Sequence, residues 1–120
     1  MTRVIMTVDD SATMRQMVRA TLESAGYQVV QAADGQEALD YARDNAVDLV
    51  IADVNMPRMG GITLISELRL LPSYRLIPLL MLTTESGQDK KLEAKRAGAT
   101  GWIVKPFNPD QLLATIGRVL

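Results

Sequence analysis

Cysteine and histidine are both absent from the 120 residues of this chain. Without cysteine the protein has no disulfide framework, no thiolate metal site and no cysteine nucleophile. Without histidine, Ser-His catalysis, imidazole zinc sites and self-phosphorylation on histidine are excluded as well. Any acid, base or metal chemistry must therefore come from carboxylates, hydroxyls and amines.

The chain also lacks an excess of either charge and lacks long apolar runs. Its 13 Lys and Arg stand against 14 Asp and Glu. This balance argues against a general nucleic-acid binder, which would carry a basic excess. No stretch resembles a signal peptide or a membrane-spanning segment, so no membrane insertion is expected. With 48% apolar residues, residues 1–120 are expected to form one soluble, cytoplasmic domain.

Short apolar runs alternate with amphipathic stretches along the chain. The runs are rich in Val, Ile and Leu and too short for helices, which predicts buried strands. They cover Val4–Val8, Gln28–Gln31, Leu49–Ala52, Leu79–Leu82 and Trp102–Val104.

Five helical patterns follow these runs, and several have boundary signals. Asp34 and Glu37 resemble a capping box at the start of the second helix, and Asn108 precedes a proline that suits the first position of the fifth. Ser86 with Asp89 is expected to cap the fourth helix. The first helix is expected to stop at Gly26, the third at Pro72 and the fourth at Gly98. The predicted core face of the first helix consists of Met14, Met17, Val18, Leu22 and Ala25.

Strand and helix alternating five times predict βαβ units. Such units form an α/β fold, a doubly wound five-stranded parallel sheet with helices on both faces. In these sheets the ligand site lies beyond the carboxyl ends of the strands, near the point where strand order reverses. The residues that follow each predicted strand are therefore the candidates for function.

Polar residues follow four of the five predicted strands. They are Asp9 and Asp10 after the first strand, Asp53 after the third, Thr83 and Thr84 after the fourth, and Lys105 after the fifth. Each alone is consistent with a turn former or a helix cap. Turns and caps do not require three acids and a lysine at one edge of a sheet, so the group as a whole favours a site.

The chemistry of this group points to a cation and a phosphoryl group. Two carboxylates about 5 Å apart repel by on the order of 3 kcal/mol at an effective dielectric near 20. A cluster of three is costly unless a cation occupies it, and carboxylate oxygens favour Mg²⁺. The hydroxyl and the ammonium suit a phosphoryl group, which an aspartate can accept as an acyl phosphate. The residues therefore predict a Mg²⁺-dependent phosphoaspartate site.

Four segments in order resemble the receiver domain of two-component response regulators, and most closely its single-domain chemotaxis members. They are VDDSATMR (Val8–Arg15), DVNMPRMGG (Asp53–Gly61), LTTES (Leu82–Ser86) and WIVKPF (Trp102–Phe107). The resemblance covers essentially the whole chain. It implies the flavodoxin-like strand order 2-1-3-4-5, which is already known for this family.

The resemblance also implies roles for the acids. Asp53 would be the phosphoacceptor. Mg²⁺ would be held by Asp9, Asp10 and Asp53, with the backbone carbonyl of Asn55 as a further ligand.

The remaining residues at the strand ends would bind the phosphoryl group and report it. Thr83, next to Thr84, would bond one phosphoryl oxygen and Lys105 would pair with it. Trp102 matches the aromatic residue that turns inward on activation, a position that is often Tyr or Phe in the family. The Lys105–Pro106 peptide bond is expected to be cis, as in the family.

The function implied is that of a stand-alone response regulator, phosphorylated by a partner histidine kinase and acting through phosphorylation-dependent protein binding. Chemotaxis is the leading pathway, with a flagellar motor switch as a possible target. A phosphorelay shuttle to another histidine protein is the alternative. Because the fifth helical pattern runs to Leu120, the protein is expected to act without an output domain of its own and as a monomer.

Two other classes of function fit the sequence less well. An aspartyl phosphohydrolase usually carries a second acid two residues after its nucleophile, where this chain has Asn55. A flavin- or nucleotide-binding module would need a phosphate loop after the first strand, where Asp9 and Asp10 repel phosphate. The protein is therefore not expected to be an enzyme. The basic residues of the fourth helix (Lys90, Lys91, Lys95 and Arg96) suit either a solvated face or a docking face.

Overall fold

The computed structural model describes residues 2–120, in which strands and helices alternate. The strands are β1 Val4–Val8, β2 Gln28–Ala32, β3 Leu49–Ala52, β4 Leu79–Thr83 and β5 Gly101–Val104. The helices are α1 Ala12–Ser24, α2 Gly35–Asp44, α3 Gly61–Arg69, α4 Gln88–Ala97 and α5 Pro109–Val119, with a 3₁₀ turn at Pro72–Tyr74. Among the described residues, no helix is both long and apolar enough to cross a membrane.

The strands form one parallel sheet in the order β2-β1-β3-β4-β5, which confirms the predicted fold class. β1 pairs with β2 on one side and with β3 on the other, so strand order reverses between β1 and β3. Val8 lies beside Ala52 in this register. The residues that follow them, Asp9 and Asp53, therefore leave the sheet next to each other at its carboxyl edge.

Apolar side chains cover both faces of the sheet, because neighbouring residues of each central strand point to opposite sides. One face buries Met6, Val50 and Met81 against α2, α3 and α4. The other buries Ile5, Ile51 and Leu80 against α1 and α5. Burial on both faces explains why these strands have continuous rather than alternating apolar sequences.

Three predicted helix boundaries are confirmed. The Asp34 side chain accepts a hydrogen bond from Glu37 N at the start of α2. Asn108 caps α5 by accepting from Gln111 N, with Pro109 at the first helical position. Gly98 ends α4 in the left-handed conformation at φ 114°, which costs little only for glycine.

The predicted start of α4 is wrong. Its N-cap is Gly87, and neither Ser86 nor Asp89 provides a side-chain cap. Glu85, just before, is held at both of its backbone groups, because its N–H donates to the Thr83 hydroxyl and its carbonyl accepts from the Trp102 indole. We attribute the later start of the helix to these two contacts, of which the one from Trp102 is tertiary, because together they override the capping signal of Ser86 and Asp89.

Two other expectations also need correction. Helix α3 ends at Arg69 rather than running to Pro72, because the residue before a proline is driven out of the helical region and Leu71 is extended. Met17 is 51% exposed and Ala25, after the end of α1, is exposed as well, so neither belongs to the core face of that helix. The inward face of that helix is narrower than its apolar spacing indicates, with Val18 and Leu22 buried.

Candidate functional site

Three carboxylates meet at the carboxyl edge of the sheet, where strand order reverses. One oxygen from each of Asp9, Asp10 and Asp53 lies within 4.8 Å of the other two. Asp9 and Asp53 are 4% and 9% exposed, whereas Asp10 is exposed. The cluster is therefore buried at Asp9 and Asp53 and open to solvent at Asp10, and an ion or a phosphoryl donor can reach it from that open side.

Lys105 lies between the two buried acids. Its Nζ donates to Asp9 Oδ2 at 2.7 Å and to Asp53 Oδ2 at 2.9 Å. Burial lowers the pKa of Lys105, but hydrogen bonds to the two carboxylates and their charges outweigh it, so the pKa lies above its ordinary value. Lys105 therefore stays charged at neutral pH and neutralises part of the acidic cluster.

The charge and chemistry of the cluster fit a divalent cation. Three carboxylates and one ammonium leave a formal excess of two negative charges. All of the donor atoms are hard oxygens, which Mg²⁺ prefers over nitrogen or sulfur. The group of acids predicted as a metal site is thus brought together, and its donor set suits Mg²⁺.

Thr83 lies at the end of β4, where backbone and side chain both connect it to neighbouring segments. Its carbonyl accepts from Lys105 N at 2.8 Å, and its hydroxyl oxygen accepts from Glu85 N at 3.2 Å. The hydroxyl proton is not used in that contact and is available to an oxygen acceptor. Thr83 is fully buried whereas Thr84 is exposed, so the two predicted threonines have different surroundings.

Trp102, on β5, is half-buried and packs against the core on the α2, α3 and α4 side of the sheet. Its Nε1 donates to the carbonyl of Glu85 at 3.1 Å. The ring predicted to take part in switching is thus hydrogen-bonded to the segment between Thr83 and α4. That segment connects Thr83, a predicted phosphoryl-binding residue, to the basic helix α4.

The loop that follows Asp53 closes on itself. Val54 N donates to Asp53 Oδ1 at 2.7 Å, and Gly61 N donates to the Val54 carbonyl at 2.9 Å. Asn55, whose carbonyl is a predicted metal ligand, lies exposed in this loop. On the other side of the site, the Lys105–Pro106 peptide bond is cis, as predicted.

The sequence pattern did not identify two residues at this edge, Glu85 and Arg58. Glu85 follows Thr83 by two positions, a spacing at which a threonine hydroxyl often accepts from the backbone, so a weak local signal existed. Arg58 contacts Asp34, 24 positions away. No local pattern indicates a contact between such distant positions.

Comparison with known proteins agrees with this fold. Residues 5–117 match the family described as the response regulator receiver domain. Chemotaxis protein CheY1 of Helicobacter pylori is 39% identical over 118 residues, which cover 97% of this chain and 95% of CheY1. The structure of Vibrio cholerae chemotaxis protein CheY4 has a TM-score of 0.95 and 51% identity, covering 100% of both chains.

A more distant structure bears on the acidic cluster. It is the receiver domain of a Pseudomonas aeruginosa sensor histidine kinase, which contains a magnesium ion coordinated in its active site cleft. It has a TM-score of 0.92 and 27% identity, covering 99% of this chain and 98% of that domain. By fold and by sequence, the chain belongs to the response regulator receiver domain family.

Proposed function

We propose that this protein is a stand-alone, monomeric and cytoplasmic response regulator that acts in chemotaxis. A histidine kinase phosphorylates Asp53 in the presence of Mg²⁺, and the phosphorylated protein binds a protein target such as a flagellar motor switch. The observation that carries this proposal is the Lys105 ammonium shared by Asp53 and Asp9 beside a third acid. Similarity to CheY1 and CheY4 over nearly their whole lengths supports the stand-alone and chemotaxis parts.

Mg²⁺ would be held by Asp9, Asp10 and Asp53 and by the backbone carbonyl of Asn55. The magnesium ion in the active site cleft of the Pseudomonas receiver domain supports the choice of metal. When bound, the ion supplies charge neutralisation for the oxygens of a transferring phosphoryl group.

Both oxygens of Asp53 are engaged, Oδ1 by Val54 N and Oδ2 by Lys105 Nζ. In the transfer, an Asp53 oxygen forms a bond to phosphorus while the P–N bond of the kinase phosphohistidine breaks and the imidazole leaves with the bonding electron pair. Forming the bond to phosphorus uses up the negative charge of the carboxylate, and the phosphoryl group brings its own negatively charged oxygens into the site. The ammonium of Lys105 follows the charge on these oxygens, and the hydroxyl of Thr83 donates to a second oxygen.

The phosphorylated protein acts by binding a protein target and does not turn over an external substrate. Asn55 occupies the position where a phosphohydrolase would carry its general acid. The basic helix α4, which adjoins the segment held by Trp102, is the proposed docking face.

Acetyl phosphate with Mg²⁺ is expected to add one phosphate to the protein, on Asp53, because this is the buried acid held by both the Lys105 ammonium and the Val54 N–H. Mass spectrometry of intact protein and of its peptides measures the adduct. Asp53→Asn should remove it, whereas Asp89→Asn, which changes an exposed acid of α4, should not. A phosphate that persists in Asp53→Asn contradicts the proposal. Transfer of the phosphate onward to a histidine phosphotransfer protein would favour the shuttle instead.

Intrinsic fluorescence should report the switch, because Trp102 is the single tryptophan of the chain. Beryllofluoride with Mg²⁺ is expected to change its emission, since the Thr83 hydroxyl that accepts from Glu85 N would turn to the phosphoryl mimic and disturb the Glu85 carbonyl that holds the indole. Thr83→Ala should reduce the change. Thr63→Ala, at an exposed position of α3, should leave it intact. An unchanged spectrum when fluorine NMR shows the site saturated would remove Trp102 from the switch.

A further inference from the structure

A bidentate ion pair fastens the loop after Asp53 to the N-terminus of α2. Arg58 Nε donates to Asp34 Oδ2 at 2.9 Å, and a second guanidinium nitrogen donates to Asp34 Oδ1 at 3.2 Å. The Asp34 side chain is only 10% exposed. Paired hydrogen bonds of this kind fix orientation as well as distance.

The backbone at Arg58 is in a disfavoured conformation. Within residues 2–120, Arg58 is the one non-glycine residue with a positive φ, at 62°. Met59 N donates to the carbonyl of Pro57 at 2.7 Å, which closes a tight turn around Arg58. Residues other than glycine, asparagine and aspartate rarely adopt this region, and such strain persists only where the surroundings impose it.

A backbone contact reinforces the ion pair. Gly35 N, at the start of α2, donates to the carbonyl of Met59 at 3.0 Å. A Cβ at Gly35 would lie 2.5 Å from that oxygen, so the approach is as close as only glycine permits. Asp34 meanwhile caps α2 through Glu37 N. One aspartate thus holds both the helix start and the turn at Arg58.

The position of this turn connects it to the metal site. Asn55 lies three residues before Arg58, in a loop closed at its other end by the Gly61 to Val54 hydrogen bond. The loop is therefore held at its base by the sheet and at its tip by α2. The backbone between these two points includes the Asn55 carbonyl.

We propose that Arg58 is a positioning residue for Mg²⁺ binding. Its ion pair with Asp34 holds the strained turn, and the turn holds the Asn55 carbonyl in place as a ligand. This inference rests on the proposed function, in which the ion binds at Asp9, Asp10 and Asp53. Mg²⁺ demands near-ideal octahedral geometry, so a carbonyl that must first be ordered binds it less tightly than one already in position.

Two substitutions break the pair without removing a proposed ligand. Arg58→Gly removes the guanidinium but tolerates the positive φ, so it separates the pairing from the backbone strain. Asp34→Asn removes the charge but keeps an oxygen that can accept from Glu37 N. Arg43→Ala is the control, because it breaks an exposed ion pair with Asp40 on the same helix, away from the loop.

Calorimetric titration with Mg²⁺ at a temperature where every variant is folded tests the proposal. Arg58→Gly and Asp34→Asn should each weaken Mg²⁺ binding by about tenfold, the lower end of what supporting residues around a metal contribute. The double variant should bind no more weakly than either single variant, because both break the same interaction. Arg43→Ala should match the wild type. In metal-free protein, the Met59 amide should exchange its hydrogen faster in Arg58→Gly than in the wild type.

The outcomes separate this proposal from the function on which it rests. If the wild type binds Mg²⁺ and both variants bind it equally well, the positioning role is overturned even if the variants melt at lower temperature. If the wild type binds no Mg²⁺, the proposed function is overturned and the positioning role with it.

Discussion

Lys105→Met is expected to lower the free energy of unfolding of the metal-free protein by about 3 kcal/mol, because it strands two buried carboxylates. Methionine nearly matches lysine in length but cannot donate to Asp9 or Asp53, each of which now accepts a hydrogen bond from Nζ. Urea unfolding in the presence of EDTA measures the loss. The raised pKa of Lys105 determines the pH range in which its bonds to Asp9 and Asp53 stabilise the fold. This stabilisation is fully present below the ordinary pKa of 10.5 and is lost only as the pH rises through the raised pKa.

A substitution at one of the three acids should change the stability of the metal-free protein in the opposite direction. Asp10→Asn removes a carboxylate from the same cluster at its exposed edge, so it should raise the melting temperature of the metal-free protein while weakening Mg²⁺ binding. Saturating Mg²⁺ should restore part of the stability lost in Lys105→Met. Two results in metal-free protein would contradict the electrostatic description of the site. One is a Lys105→Met variant as stable as the wild type, and the other is an Asp10→Asn variant that melts at a lower temperature than the wild type.

Gly61→Ala is expected to destabilise the protein by about 3 kcal/mol, at the upper end of overpacking effects. A Cβ at Gly61 would lie 1.9 Å from the carbonyl oxygen of Asp53 and 2.8 Å from its carbon. Backbone atoms cannot move aside as a side chain can, so α3 or the end of β3 must shift. Thermal and urea unfolding measure the loss, and phosphorylation by acetyl phosphate should fall because Asp53 moves with its backbone.

Gly117→Ala provides the matched control. A Cβ at Gly117, in α5, meets no atom within 4 Å. Alanine should therefore stabilise the protein by about 0.5–1 kcal/mol through its higher helix propensity. Equal stabilities of Gly61→Ala and the wild type would show that the β3–α3 junction is looser than its geometry indicates.

The features that the sequence predicted correctly arise either from contacts between near neighbours or from the regular geometry of a parallel sheet. Asp34 and Asn108 cap helices by accepting from backbone amides three residues away. The central strands β1, β3 and β4 were recognisable because burial on both faces leaves nearly uninterrupted apolar runs. The convergence of acids and lysine was predictable because all parallel strands end at the same edge.

What the sequence did not predict depends on contacts between distant residues. Strand ends indicate that Asp9 and Lys105 share an edge, but not that one ammonium bonds two acids. The start of α4 was misplaced because Trp102, 17 positions away, holds the Glu85 carbonyl. The Arg58–Asp34 pair joins positions whose local sequences suggest only a turn and a helix cap.

The hydrogen bonds from Lys105 to Asp9 and Asp53 affect the order in which this site forms during protein synthesis. Lys105 is synthesised 52 residues after Asp53 and 96 after Asp9, a delay of several seconds at about 5–20 residues per second. The nascent chain thus contains β1, β3 and all three acids before it contains the ammonium that partly neutralises them. A chain interrupted before β5 has the acids without the lysine, so the cluster gains its one positive charge only when synthesis passes the last strand.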